Sequence, residues 1–327
     1  MKAMSRAHIS LPWPCRASGW LLAACLACLG GCASVDDNRE PQAQALVDGV
    51  YWLPGSGGAA NPHNLGRIGN TGFIVGETGV IAIDTGTSYA HGRTLLAAIH
   101  RVTDKPVRLA LLTHARPEFL FGGQAFREQG IPVRAHSRTA RLMASRCETC
   151  LARLRQTVGA VPMRGTLLYR PDQEFDATHD IDLIGRLVQV LYFGHSSGPG
   201  DVAVLDKRSG VLFAGGLLDA RRVPDIQDSD LAGWGRALSA LNELHPSMVV
   251  PGHGPVMAAA DLIPSVASYL QQLEARARAL VDSDTSLIDV ADASELPAFE
   301  SWDQYDVIHP RNASIAFLRF ERERLFK

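Results

Sequence analysis

The chain has 327 residues, with a hydrophobic share of 46%, a charged share of 20% and a net charge of −2. These proportions exclude a disordered or membrane-spanning chain and allow one large domain or two small ones, each with a full core. No basic stripe goes with the near-neutral charge, so the composition gives no support for nucleic-acid binding.

Residues 1–31 carry Lys2, Arg6 and Arg16 and no acid, and without them 29 basic side chains face 34 acidic ones, a balance of −5. The apolar run Trp20–Leu29 is too short to span a bilayer. A positive segment, an apolar run and then small residues is the order of a secretory signal. The run closes on Leu29-Gly30-Gly31-Cys32, which resembles a bacterial lipobox in which Cys32 is lipidated and becomes the first mature residue. A plain signal cut near Ala33 is the alternative. The expected organisation is a signal over residues 1–31, a tether over 32–45 that includes polar Asp36–Gln44, and a folded domain over 46–327. The expected location is the periplasmic side of a bacterial membrane, held by lipid with nothing passing through. Of six cysteines, Cys32, Cys147 and Cys150 would remain, and an oxidising compartment invites a disulfide between the last two.

Beyond the tether, strands and helices alternate. Gly49–Leu53, Phe73–Val75 and Val80–Asp84 read as strands between Gly and Thr turns. Tyr89–Val102 places Leu95, Leu96 and Ile99 at helical spacing, and Val107–Thr113 is a Val- and Leu-rich strand. Gly122–Gln129 reads as a short helix and Ser137–Val158 as a longer one with an Arg-rich exposed face. Leu187–Phe193, Val202–Asp206 and Val211–Ala214 form a second set of strands. Helix Ala232–Leu244, strand Met248–Val250 and helix Leu262–Val281 follow, and helix Ala313–Leu325 closes the chain. Asp282–Tyr305 is polar and has no assigned element. Strands and helices mixed in both halves predict an α/β sandwich with sheets inside and helices outside.

Three histidines share one context: His114 after Leu111-Leu112-Thr113, His195 after Val188–Phe193 and Gly194, and His253 in Pro251-Gly252-His253-Gly254-Pro255. Each stands just past the carboxyl end of an apolar strand, where α/β proteins gather ligand-binding residues. Neutral imidazole is the usual zinc ligand, so their joint pattern suggests a metal, although a lone strand-end histidine is more often structural.

With these pieces in place, the sequence resembles the metallo-β-lactamase superfamily. The resemblance rests on Gly69-Asn70-Thr71-Gly72-Phe73-Ile74-Val75, Ile83-Asp84-Thr85-Gly86, the loop from Thr113, Gly194-His195-Ser196, Leu212-Phe213-Ala214-Gly215 and Pro251-Gly252-His253-Gly254-Pro255. Val102–Pro106, Cys147–Leu154 and Arg222-Val223-Pro224-Asp225 look closest to the exported branch of quinoprotein relay system zinc metallohydrolases. The resemblance implies a four-layer αββα sandwich, zinc-dependent hydrolysis and, for the branch, a periplasmic quinoprotein partner.

In the family the first metal loop reads His-x-His-x-Asp-His. Here Thr113-His114-Ala115-Arg116-Pro117-Glu118-Phe119 keeps the first histidine, while Arg116, Glu118 and Phe119 stand at the other three positions. His195 and His253 match later ligands. The bridging aspartate falls on Gly216, with Asp219 three residues away as a weak substitute. Arginine stays protonated and has no lone pair to donate. At about 4 Å its charge would cost a divalent ion on the order of 8 kcal/mol at an effective dielectric of about 20.

Two readings follow. One zinc ion at most binds a hybrid site of His114, Glu118, His195 and His253 and activates water. Alternatively no metal binds, and Arg116 pairs with Glu118 and the histidines beside a pocket for an anionic or quinone-like small molecule, since its planar fork suits carboxylates. By resemblance Asp84 supports the metal loop from behind, and capping the Thr85–Ala90 turn is its alternative role. Cys147 and Cys150 sit one turn apart in mid-helix, leaving open a structural pair, a redox pair or a metal site. His63, His91, His100 and His136 read as surface residues. His309-Pro310-Arg311-Asn312 is expected to open the last helix, with Asn312 as its N-cap.

Overall fold

The computed structural model describes residues 41–326, all within one compact unit. Cys32 and the signal segment therefore lie outside the described residues. The first sheet begins with β1 (Gln44–Val47), β2 (Val50–Leu53), β3 (Thr71–Val75) and β4 (Val80–Ile83), paired antiparallel in order. Helix α1 (Tyr89–Val102) crosses to β5 (Val107–Leu111), which lies parallel to β4. Short helices α2 (Pro117–Leu120) and α3 (Gly123–Arg127) lead to β6 (Val133–His136). Helix α4 (Ser137–Val158) then leads to β7 (Gln173–Phe175), and β6 and β7 extend the parallel half. The second sheet holds β8 (His179–Ile181), β9 (Val188–Tyr192), β10 (Val202–Asp206) and β11 (Val211–Gly215), again antiparallel. Helix α5 (Leu231–Glu243) crosses to β12 (Met248–Pro251), parallel to β11. Helices α6 (Ala259–Asp282), α7 (Val290–Ala293) and α8 (Tyr305–Leu325) end the chain.

Three apolar layers bind these parts. Ile74, Ile81, Ile83, Leu109 and Leu111 of the first sheet meet Val190, Val202, Val204 and Phe213 of the second. Strands buried on both faces need continuous apolar runs, and β4, β10 and β11 supply them. The outer face of the first sheet packs on α1, α3 and α4, whose stripe Met143, Cys147, Leu151, Leu154 and Val158 has helical spacing. The outer face of the second sheet packs on α5, α6 and α8 through Trp234, Leu262, Val266, Tyr269, Leu273, Phe317 and Phe320. Helix, sheet, sheet, helix is the four-layer order expected from the resemblance.

Several expectations need correction. The tether ends earlier than residue 45, because Gln44 and Ala45 already pair with Trp52 and Tyr51. His91 and His136 are buried, not on the surface. His91 Nδ1 accepts the Thr87 N–H at 3.2 Å, and the His136 ring lies between Phe175 and Tyr192. The last helix opens at Tyr305 and runs through Pro310. Asn312 is not its cap: it is fully buried, donating to the Pro224 carbonyl at 2.7 Å and accepting the Ile226 N–H at 3.2 Å.

Candidate functional site

The ends of β4, β5 and β12 meet where the two sheets are tied together. The Thr113 carbonyl accepts the Val202 N–H at 2.9 Å, and the Asn70 amide donates to the Pro251 and Gly254 carbonyls, each at 2.9 Å. Asp84 follows β4 with φ +58°, a left-handed conformation that costs a non-glycine residue on the order of 1–2 kcal/mol. Its carboxylate accepts Thr113 N–H at 2.8 Å and Thr113 Oγ1–H at 2.7 Å, so it holds the loop after β5 rather than capping a turn. Ser88 caps α1 instead. Burial pushes Asp84 up to about 7 despite the two bonds from Thr113.

Thr113 Oγ1 spends its proton on Asp84 and accepts from His114 Nδ1 at 2.7 Å. This fixes the tautomer and leaves a lone pair on His114 Nε2, which is buried without a hydrogen-bond partner among the described residues. Burial, reinforced by the Arg116 charge, pushes His114 down to about 3 and keeps it neutral.

Beyond His114 the loop builds an ion cluster. Arg116 stands just before α2 without a side-chain capping bond, Pro117 takes the first helical position, and the Arg116 guanidinium donates to Asp219 Oδ2 at 3.2 Å and the Asp225 carbonyl at 3.3 Å. His253 bonds Asp219 Oδ1 through Nδ1 at 2.8 Å and Glu118 Oε1 through Nε2 at 3.1 Å. With a carboxylate at each nitrogen the imidazole carries both protons. Burial works against its charge, but Asp219 and Glu118 outweigh it and raise its pKa. Burial would raise Glu118 too, yet the His253 hydrogen bond and charge and the Arg116 charge bring it down to about 2. Asp219, 1% exposed, is likewise held well below the usual carboxylate range against burial, chiefly by His253. Two cations thus face two carboxylates, and the cluster is neutral.

The remaining positions fill the space around it. Phe119 is fully buried, its ring 4.3 Å from that of His114 and 5.2 Å from that of His253. The ring packs so closely on Gly69 that a Cβ there would lie 2.3 Å from Phe119 Cζ. A Cβ on Gly216 would lie 2.8 Å from Asp201 Oδ2 and 3.0 Å from His114 Cδ2. Burial pushes Asp201 up to about 6 although Ser197 donates to it at 2.7 Å.

Of the predicted site residues, the structure brings Arg116, Glu118 and His253 into one cluster, with His114 beside it and Asp84 beneath. It does not bring in His195, which is exposed with Nε2 2.7 Å from the Asp228 carbonyl oxygen. The hybrid ligand set of His114, Glu118, His195 and His253 is therefore not assembled. Among the described residues, no group of three or more His, Cys, Asp or Glu is arranged to hold a metal ion. Cys147 and Cys150 are free thiols, so the disulfide considered for them is not formed. They line a cleft of about 230 Å³ together with His114, Arg116, Arg146 and Arg153.

Asp219 and Asp201 carry more of the site than their positions in the sequence suggest. Asp219 reaches His253 because Gly216–Leu218 turn sharply, with Leu217 N–H on the Ala214 carbonyl at 3.1 Å and Gly252 N–H on the Leu218 carbonyl at 2.9 Å. For Asp201 the one available signal was an acid set between Gly200 and the apolar strand β10.

The cluster has a pH signature. A depressed carboxyl contributes stability above its unfolded value and loses it as pH falls through its folded one. Glu118 contributes fully above about 4.5, and its contribution disappears as pH falls through about 2. His253, raised in the fold, contributes fully below 6.5 and loses its contribution as pH rises through its raised value. The cluster is therefore worth most between pH 4.5 and 6.5. In denaturant titrations the stability gap between wild type and Glu118→Gln should be on the order of 3 kcal/mol or less in that window and close as pH falls. A gap that stays constant down to pH 2 would mean that Glu118 is not ion-paired.

Comparison with known proteins agrees with the architecture. The metallo-β-lactamase superfamily model matches residues 65–253. A metallo-β-lactamase from Pontibacter korlensis is 22% identical, with 71% of this chain and 99% of that chain covered at a TM-score of 0.58. One from Hirschia baltica is 20% identical, with 71% and 98% covered at 0.56. DIM-1 metallo-β-lactamase is 16% identical, with 71% and 98% covered at 0.56. No curated protein matches the chain. The family match spans more than half of the chain and ends on His253, the residue held between Asp219 and Glu118: the protein belongs to the metallo-β-lactamase superfamily.

Proposed function

We propose that this protein is a diverged, metal-independent member of its superfamily that uses the remnant pocket to bind a small anionic molecule. The observation that carries the reading is His253, whose two nitrogens are both engaged by carboxylates in a cluster closed by Arg116. A metal needs deprotonated donors. Here the histidine is an imidazolium, one carboxylate oxygen of Asp219 and one of Glu118 are spent on it, and a permanent cation sits where a neutral donor is needed. Phe119 fills space between His114 and His253, and Asp201 crowds the place a bridging aspartate would take on Gly216. These residues do not fit a two-metal centre. The ancestral chemistry in this reading is zinc-dependent hydrolysis. The anionic ligand is assigned to Arg153, which lines the cleft and has no ion-pair partner among the described residues, whereas Arg116 and Arg146 there are paired with Asp219 and Asp228.

We further place the protein in the quinoprotein relay branch, on the periplasmic side of the membrane through a lipid on Cys32. The support is sequence resemblance alone.

A mononuclear hydrolase is the second reading, favoured by the unpartnered lone pair of His114 Nε2. Thermal unfolding separates the two. A metal present at 100 times its Kd stabilises by about 2.7 kcal/mol. Neither zinc nor a chelator should move the midpoint, whereas small carboxylates should raise it. A rise of several degrees with zinc, reversed by chelator, would favour the mononuclear enzyme.

A further inference from the structure

The Cys147 and Cys150 side chains face the same cleft as His114 and Arg116, and nothing in the proposed ligand-binding role requires a thiol there. Helix α4 places them three residues apart on one face, and ideal helix geometry sets their Cα atoms about 5 Å apart. A disulfide spans Cα separations of roughly 4.4–6.8 Å but needs its Cβ atoms about 3.5–4.5 Å apart, against about 5–6 Å for this spacing in an ideal helix, so closing the pair requires α4 to give locally by about 1 Å. Cys147 is buried and Cys150 only partly buried, so the two differ in access from the cleft.

The charges around them are arranged the same way. Arg146 and Arg153 stand four residues before and three after Cys150, which puts all three on one face of α4 and all at the cleft. Arg146 is engaged by Asp228, whereas Arg153 has no carboxylate partner among the described residues. Other charged groups at the cleft are Arg116, Asp201 and Asp225.

From this geometry we infer that Cys147 and Cys150 form a reactive dithiol that exchanges with small disulfides carrying carboxylates, with Cys150 attacking and Cys147 resolving. The Cys150 thiolate attacks one sulfur of R–S–S–R′; a Cys150–S–S–R bond forms, and R′S⁻ leaves and takes up a proton. Cys147 gives up its proton and attacks Cys150 Sγ, expelling RS⁻, which is protonated in turn. The protein dithiol is oxidised to one disulfide and the external disulfide is reduced to two thiols, so atoms and electrons balance. The hydrogen bond from Cys147, helped by Arg153 and Arg146, brings Cys150 down to about 7, while the same hydrogen bond and burial push Cys147 up. That order matches an attacking and a resolving thiol. Arg153 supplies the contact for the carboxylate.

The inference shares the cleft with the proposed ligand-binding function but not its claim about metals. It is tested on the reduced full-length chain, with oxidised glutathione as the carboxylated disulfide, bis(2-hydroxyethyl) disulfide as the uncharged one, and peptide mass mapping to locate each product. Oxidised glutathione should yield a Cys147–Cys150 disulfide. Cys147→Ser should stop at a glutathione adduct on Cys150, and Cys150→Ser should leave Cys147 unmodified. The carboxylated disulfide should react roughly tenfold faster than the neutral one, a preference Arg153→Glu removes. Equal modification of both cysteines, or no charge preference, would overturn the assignment. If Cys147→Ser does not fold, brief alkylation of the wild type decides, since Cys150 must be labelled first. Chelator in every sample keeps the outcome separate from the question of bound metal.

Discussion

Asp219→Ala should destabilise the protein by about 3–5 kcal/mol, the usual result of stranding buried charge. Asp219 is 1% exposed and is the one group that joins His253 to Arg116. Without it, Arg116 loses its ion pair, His253 keeps Glu118 as its one carboxylate partner, and the His253 Nδ1–H is buried without an acceptor. For a domain of this size the loss corresponds to a fall of roughly 6–20 °C in unfolding temperature. Arg116→Ala should cost less, about 1–3 kcal/mol, because the Arg116 side chain is 21% exposed and water can reach part of what it leaves. The double variant should lose less than the sum, since each single change strands a charge that the other removes. Additive losses would show that the Arg116–Asp219 pair contributes nothing as a pair. An Asp219→Ala protein as stable as wild type would show that the cluster is not ionised as drawn.

The second large effect comes from restoring the family loop with Arg116→His, Glu118→Asp, Phe119→His and Gly216→Asp. Zinc affinity should rise by a thousandfold or more, about 4 kcal/mol, because a permanent cation gives way to a neutral donor and the apolar ring to another. Hydrolysis of generic ester or lactam substrates should appear with it. The change has structural costs. Phe119→His removes a fully buried ring that packs on Gly69, at about 2–4 kcal/mol in the metal-free protein. Any side chain on Gly216 must also displace Asp201 Oδ2, 2.8 Å from the Cβ position. Adding Asp201→Ser should therefore improve zinc binding further. His195 must in addition leave the Asp228 carbonyl. No gain in zinc affinity would mean that the loop aligns differently with its relatives.

Much of the fold could be read from the chain because its periodicities are strong. Helices Tyr89–Val102 and Ser137–Val158 have the limits that their apolar stripes predict, and the strands Val202–Asp206, apolar up to its final aspartate, and Val211–Gly215 left little room for error. The polar strands Gln173–Phe175 and His179–Ile181 went unseen because three residues at a sheet edge carry no period. Pro310 hid the start of α8: proline usually ends a helix, but here eight buried positions from Tyr305 to Phe320 hold the helix on either side of it. At the site, the loop substitutions were evident residue by residue, because each replaces one donor type by another at a fixed register. The partners were not. Asp219 lies outside the motif that positions its neighbours, and its role depends on a turn that no local pattern announces. The orientation of His195 depends on the Asp228 carbonyl, 33 residues away along the chain.

In the proposed function, neutral charge pairing among Arg116, Glu118, Asp219 and His253 takes the place of metal binding. Metal content measured by mass spectrometry after equilibrium dialysis against excess zinc tests it most directly. Wild type should retain far less than one ion per chain, with no change on His114→Ala or His253→Ala. Retention of one or more zinc ions per chain, lost in either histidine variant, would contradict it.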